Sequence, residues 1–282
     1  MIAVVLALLG AVSYGVSDFV GGLASRRTTV WPVALLACVG AFGSALVLAV
    51  LLPGHSTSSA VAWGLLAGTG SGAGTAFLYR GLAGGRMGVV APVSGVGATV
   101  IPVLVGVVGG ERPAALVWVG IVAALPGIWL VSQEDATLGD GPVSAPGSSG
   151  LVDGILAGVG FGVLFAALGQ VPASAGYWPF AANQLVSVLT VTVACLLLGG
   201  DPRPHALEQW WGLAAGVLAA GAGLGFLLAT HHGLLSVSAV LTSLYPAVTV
   251  LLAALVLREH IHRIQAAGLA LCAVAVVLVA AG

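Results

Sequence analysis

Between Arg27 and Arg80 the chain carries no Asp, Glu, Lys or Arg, and before Arg26 it carries only Asp18. Uncharged stretches this long constrain the fold more than any other feature. A water-soluble domain is normally about one-quarter charged, because its surface must be hydrated. Here 6% of residues are charged and 59% hydrophobic, with a mean hydropathy of +1.14. Such a chain cannot cover a water-facing surface, so it reads as an integral membrane protein. There is no Lys and the net charge is −1, which gives no footprint for nucleic acid. Cys38, Cys195 and Cys272 are scattered through apolar runs and read as small packing residues.

A spanning helix needs about 20 mostly apolar residues. The apolar runs fall at 2–23, 30–52, 60–80, 88–109 and 114–132, then at 151–170, 177–199, 209–230, 234–257 and 263–281. The first lacks a basic leader region, since the first positive charge is Arg26, so it reads as a span and not as a signal peptide. These ten runs predict an all-α integral membrane fold of ten transmembrane helices. The one long connection, 133–150, is rich in Gly, Pro and Ser and reads as a mobile polar linker.

The runs are not independent of one another. Trp63-Gly64-Leu65 with Ala67-Gly68 returns as Trp211-Gly212-Leu213 with Ala215-Gly216, 148 positions later. Tyr14-Gly15 matches Phe161-Gly162, and Trp31-Pro32 matches Trp178-Pro179, each 147 apart; Glu111 and Gly120 match Glu259 and Gly268 at 148. One offset shared by landmarks in four places predicts two copies of a five-helix unit, 1–132 and 151–282, joined by the linker 133–150. Five is odd, so the second copy enters the membrane from the opposite side. Charge agrees: Arg26, Arg27, Arg80 and Arg86 follow the first and third spans, whereas Arg203, Arg258 and Arg263 follow the seventh and ninth. Seven of the eight Arg then share one face, with Arg112 on the other. Inverted repeats of this kind build secondary transporters that alternate access about a central site.

Several motifs carry a family likeness: "YGVSDFVGG" in span one, "YRGLAGGRMGVVAPVSG" leading into span four, "VLVGVVGGERP" closing it, and "LTSLYPAVTVLLAALVLREHIHRIQAAGLAL" in the second copy. In their order and spacing they resemble the EamA-type family of the drug/metabolite transporter superfamily, over nearly the whole chain except the linker. The resemblance implies a ten-helix secondary transporter, often an exporter of amino acids or other small metabolites. It further implies a cavity lined mainly by spans one, three, four, six, eight and nine. It also implies cytoplasmic termini, whereas the positive-inside rule applied to the Arg count places both termini outside. A plasma or inner cell membrane location is expected. So are a small-molecule substrate coupled to protons or another ion, and no enzyme activity, cofactor or metal. Neither substrate, direction nor oligomeric state is readable from the sequence. The competing readings are a non-transporting membrane partner or receptor on the same fold, and a membrane-embedded enzyme.

Candidate site residues follow from what is costly in lipid. Asp18 reads as the one acidic residue well inside a span, where an unpaired charge is expensive and marks function by default. It is read as a proton or substrate site, as an ion pair with Arg80, or as a solvated interfacial group; Tyr14 and Ser17 share its side of the helix. Tyr79, Thr242 and Tyr245 offer hydroxyls, and Asn183 beside Gln184 offers an amide that either cross-links helices or contacts substrate. Pro92 and Pro102 in span four and Pro246 in span nine free backbone carbonyls, and as counterparts these spans are expected to kink and line the cavity. The stripes Gly64/Gly68/Gly72, Gly212/Gly216/Ala220 and Gly154/Gly158/Gly162 read as close-packing surfaces. Glu111 reads as a helix-start residue near the dipole of the span that follows it, and Glu259 as structural. His231-His232 reads as an interfacial pair, and without Lys no nucleotide-binding GK motif exists.

Overall fold

The structure is a computed structural model that describes residues 1–25, 28–52, 54–83, 87–133 and 149–282; at 79, 81–83, 87–89 and 149–150 only the backbone is described. Arg26, Arg27, Arg86 and nearly all of the 133–150 linker therefore lie outside the described residues. Among the described residues the chain is helical, without strands. In chain order the helices are α1 (Ile2–Ser25), α2 (Val30–Leu51), α3 (Ser58–Ala83), α4 (Met87–Val108), α5 (Ala115–Val131), α6 (Ser149–Leu168), α7 (Trp178–Leu197), α8 (Trp211–His232), α9 (Leu235–Thr242), α10 (Tyr245–Val256) and α11 (Arg263–Ala281). Among the described residues eight helical stretches are long and apolar enough to cross a membrane, counting Leu235–Val256 as one; α3 is Gly-rich and α5 is shorter. The protein is a multi-pass membrane protein.

Helix α7 shows why these sequences fold as they do. Leu185, Leu189, Val193 and Leu196 form an exposed apolar stripe, while Gln184, Ser187, Val191 and Cys195 are buried on the opposite side. Polar groups face inward and apolar ones outward, as a lipid solvent requires. The outer faces of α5 (Val119, Val122) and α11 (Val274, Val277) are apolar and exposed in the same way.

Packing follows the small-residue stripes. Gly64 and Gly68 on α3 leave room for the backbone carbonyls of Pro179 and Asn183 on α7; a Cβ there would come within 2.2 and 2.4 Å of them. Gly212 and Gly216 on α8 do the same against Val33 and Ala37 on α2, and Gly158 on α6 meets Gly97 on α4. The main pairings are α1 with α8, α9 and α10; α6 with α3 and α4; α7 with α2 and α3; α8 with α2; and α5 with α11. Each joins an element before residue 133 to one after 149, so the halves interdigitate and neither has a core of its own.

The run 234–257, expected as one span, is two helices. α9 ends at Thr242, and α10 starts at Tyr245 with Pro246 in its first turn. Pro246 lacks the N–H that would bond the Thr242 carbonyl, so the ladder stops there and restarts. Pro92 and Pro102 sit inside an unbroken α4 and Pro126 inside an unbroken α5. Of the two counterpart spans, only the later one is interrupted. Glu111 also departs from its expected place. Its carboxylate accepts the backbone N–H of Leu235 and, at 3.0 Å, of Ser236. It therefore caps α9 and not the adjoining α5, satisfying two of the orphan donors at that helix start.

Candidate functional site

A cavity of about 190 Å³ lies among α1, α2, α3, α4, α6, α7, α8 and α10. Helices α2 and α7 contribute as heavily as any, through Ala34, Ala37, Cys38 and Ala41 and through Phe180, Asn183, Gln184 and Ser187. This widens the lining expected from spans one, three, four, six, eight and nine. From α4 only Ala98 reaches it; neither Pro92 nor Pro102 does.

The floor is aromatic. Tyr14 meets Phe165 edge-on at 6.2 Å between ring centroids and Tyr245 at 5.9 Å, and Phe165 lies 4.7 Å from Phe226. Phe165, Leu168, Phe180, Phe226 and Leu235 are all buried in one apolar cluster that plugs this end. Loop contacts reinforce the closure. The His55 N–H donates to the Ser174 carbonyl at 3.1 Å, the Ser56 hydroxyl to the Ala175 carbonyl at 2.6 Å, and His231 Nε2 lies 2.9 Å from the Val171 carbonyl. One helical turn along α1 from Tyr14, on the side away from the termini, Asp18 also lines the cavity and is exposed. Among the described residues these contacts close the cavity at the end bearing the termini.

Two wall features matter chemically. Asp18 makes no ion pair or hydrogen bond among the described residues, and it stands one helical turn from Tyr14 on the same face of α1. Asn183 is 1% exposed, lines the cavity, and its Oδ1 has no hydrogen-bond partner. Beside it the Ser71 and Ser187 hydroxyls bond each other at 3.2 Å, with Cys38 Sγ 3.9 Å from Ser187.

The structure gathers some sequence candidates and disperses others. Tyr14, Asp18, Asn183 and Tyr245 meet in the cavity. Ser17 lines it too, but its hydroxyl is bonded at 2.8 Å to the Ala215 carbonyl and so ties α1 to α8, as Ser13 does with Leu218. Thr242 is fully buried and its hydroxyl donates at 3.4 Å to the Ala7 carbonyl, away from the cavity. The Tyr79 side chain lies outside the described residues. Arg80 does not pair with Asp18: its Nε donates to Asp153 Oδ1 at 2.8 Å, its second nitrogen reaches the same oxygen, and its guanidinium stacks 4.7 Å over Phe77. Asp153, 4% exposed, is a second acid within a span, and the sequence reading missed it. Its signal was present: it stands five residues into α6, where a carboxylate needs a cation, and Arg80 ends α3.

The family model for the EamA-like transporter family, a branch of the drug/metabolite transporter superfamily, matches residues 148–281. No curated protein matches the chain. A solved crystal structure resembles it with a TM-score of 0.67 and 18% identity, covering 98% of this chain and 95% of that one, a likeness of fold.

Proposed function

The chain belongs, through residues 148–281, to the EamA-like transporter family, and from that premise we propose that it is a secondary active transporter of a small organic metabolite. In this reading it has ten membrane crossings, α9 and α10 together making the ninth, arranged as inverted repeats 1–132 and 151–282 around the linker 133–150. It works by alternating access in the cell membrane. One observation carries it: the cavity is lined by residues from both halves in corresponding pairs. Tyr14 and Phe161, Asp18 and Phe165, and Ala37 and Gln184 are 147 apart; Ser71 and Ala219, and Thr75 and Gly223, are 148 apart, and all ten line it. The helix pairings are exchanged by the same offset: α3 on α6 corresponds to α8 on α1, and α3 on α7 to α8 on α2.

A pseudo-twofold through such a cavity means that the closed end and the open end are built from equivalent parts. Rocking one set of equivalent contacts open while the other closes exposes the cavity to the opposite face. The pairs differ in chemistry, Asp18 against Phe165 above all, so the ion or substrate step rests on one copy. Asp18 is then the residue whose charge is neutralised, by substrate or proton, when the cavity changes sides.

Reconstitution into sealed proteoliposomes tests this. Gradient-driven flux of a metabolite mixture, read by mass spectrometry, is expected for the wild type and lost in Asp18→Asn with thermal unfolding unchanged. Saturable binding without flux supports instead a receptor or partner. Turnover in detergent, with no gradient, supports an enzyme.

A further inference from the structure

We infer that the cavity takes a small organic cation: an ammonium group on an apolar or aromatic body, its charge met by Asp18 and one of its N–H groups by Asn183 Oδ1. This rests on the transporter reading above and names its substrate class.

The charge argument comes first. Among the described lining residues Asp18 is the one carboxylate, and none is Arg or His. Arg80, the partner expected from the sequence, is held by Asp153. Among the described lining residues an anionic substrate would find a like charge and no counter-ion, whereas a cation finds a carboxylate with no ion partner.

The walls argue the same way. Tyr14, Phe161, Phe165 and Tyr245 surround the space beside Asp18. Aromatic faces carry negative quadrupole density and attract ammonium groups, while their bulk suits an apolar body. Asn183 supplies the second, independent mark. A buried carbonyl oxygen without a partner carries a desolvation cost unless a ligand donates to it. An ammonium has three N–H donors, enough for a carboxylate oxygen and an amide oxygen at once. Size agrees: a cavity of about 190 Å³ is that of a small-molecule site. It admits a single-ring or short-chain amine.

The test uses the purified full chain in nanodiscs and four probes that share a phenethyl body: phenethylamine, its N-acetyl derivative, hydrocinnamate and phenylalanine. The readouts are the thermal unfolding midpoint, titration calorimetry, and protection of the native Cys38 from maleimide. Phenethylamine is expected to raise the midpoint saturably and to slow Cys38 alkylation, with the neutral and anionic probes inert and phenylalanine weaker. Asp18→Asn is expected to weaken amine binding by roughly tenfold or more, and Asn183→Ala by several-fold. If Asp18→Asn does not fold, Cys38 protection in the wild type still decides. Equal or tighter binding of hydrocinnamate or the N-acetyl probe, or no protection by the amine, overturns the inference. Amine binding without counterflow in proteoliposomes instead overturns the transporter reading and leaves the site standing. Flux of other metabolites without amine binding does the reverse.

Discussion

Asp18 and Asp153 are both carboxylates on apolar helices, and their surroundings separate them. Asp153 is buried and takes two nitrogens of Arg80 on one oxygen, so removing either partner leaves an uncompensated charge. Asp153→Asn is expected to lower stability by about 3 kcal/mol or more, the usual cost of breaking a buried pair. Arg80 is partly exposed, which moderates the loss, and a detergent thermal melt measures it. Asp18 faces the cavity and its replacement is expected to spare the fold. The sequence placed both acids in view, but periodicity alone could not say that the Arg ending α3 faces α6 and not α1. That is a matter of which helices pack, and the one-dimensional pattern does not hold it. A third acid lies outside the spans. Asp201 is pulled below its ordinary value of 3.8, first by the Arg203 backbone N–H and then by the His205 ring. A depressed carboxyl contributes stability above 3.8 that is lost as pH falls through its lower folded value. Hydrogen exchange at the Arg203 amide is therefore expected to quicken as pH drops below about 3.8, once corrected for intrinsic rates, and Asp201→Ala to abolish that dependence.

At the scale of elements, the small-residue stripes were legible and their partners were not. Spacings of four in Gly64/Gly68/Gly72 and Gly212/Gly216 announce close approach, but only the structure shows that both stripes receive carbonyls from the helix after a Trp-Pro start, α7 and α2. Gly216 is the tightest. A Cβ there would stand 2.0 Å from the Ala37 carbonyl oxygen, whereas one on Gly43 meets nothing within 4 Å. Gly216→Ala is expected to destabilise by about 1–3 kcal/mol through overpacking. Gly43→Ala is expected to be neutral or to stabilise by up to about 1 kcal/mol through helix propensity. Paired thermal melts separate the two. The break between α9 and α10 was only half legible. Pro246 marks an interruption, as Pro92 and Pro102 also do, yet α4 runs through its prolines unbroken. What distinguishes α9 is a dedicated cap from another element. Glu111→Ala is expected to cost about 1–3 kcal/mol by orphaning the Leu235 and Ser236 amides, with Glu111→Gln milder because one acceptor remains.

Across the whole molecule, if the proposed inverted repeat holds, the offset of 147–148 foretells where the cavity must be, since corresponding residues would approach one another only near the axis exchanging the halves. Which faces turn inward on α2 and α7 was harder to read, because Ala34, Ala37 and Ala41 look like ordinary packing. Among the described residues the cavity is shut by Phe165, Phe180 and Phe226 on the side of the termini, so in the transporter reading the route in lies on the side of Arg80, Arg203, Arg258 and Arg263. That makes sidedness measurable with a native residue. Cys38 is half-buried in the cavity wall, whereas Cys195 and Cys272 are buried outside it. If the positive-inside bias governs, the open end faces the cytoplasm and both termini lie outside. A membrane-impermeant maleimide is then expected to label Cys38 in inside-out vesicles and to spare it in intact cells, with Cys38→Ser as the blank. A fluorescent reporter after Gly282 should remain dark in the same cells. Labelling from outside together with a bright reporter would reverse the orientation while leaving the cavity, its counterpart pairs and its single carboxylate as they are. A substrate that shifts labelling from one side to the other would be the direct signature of alternating access.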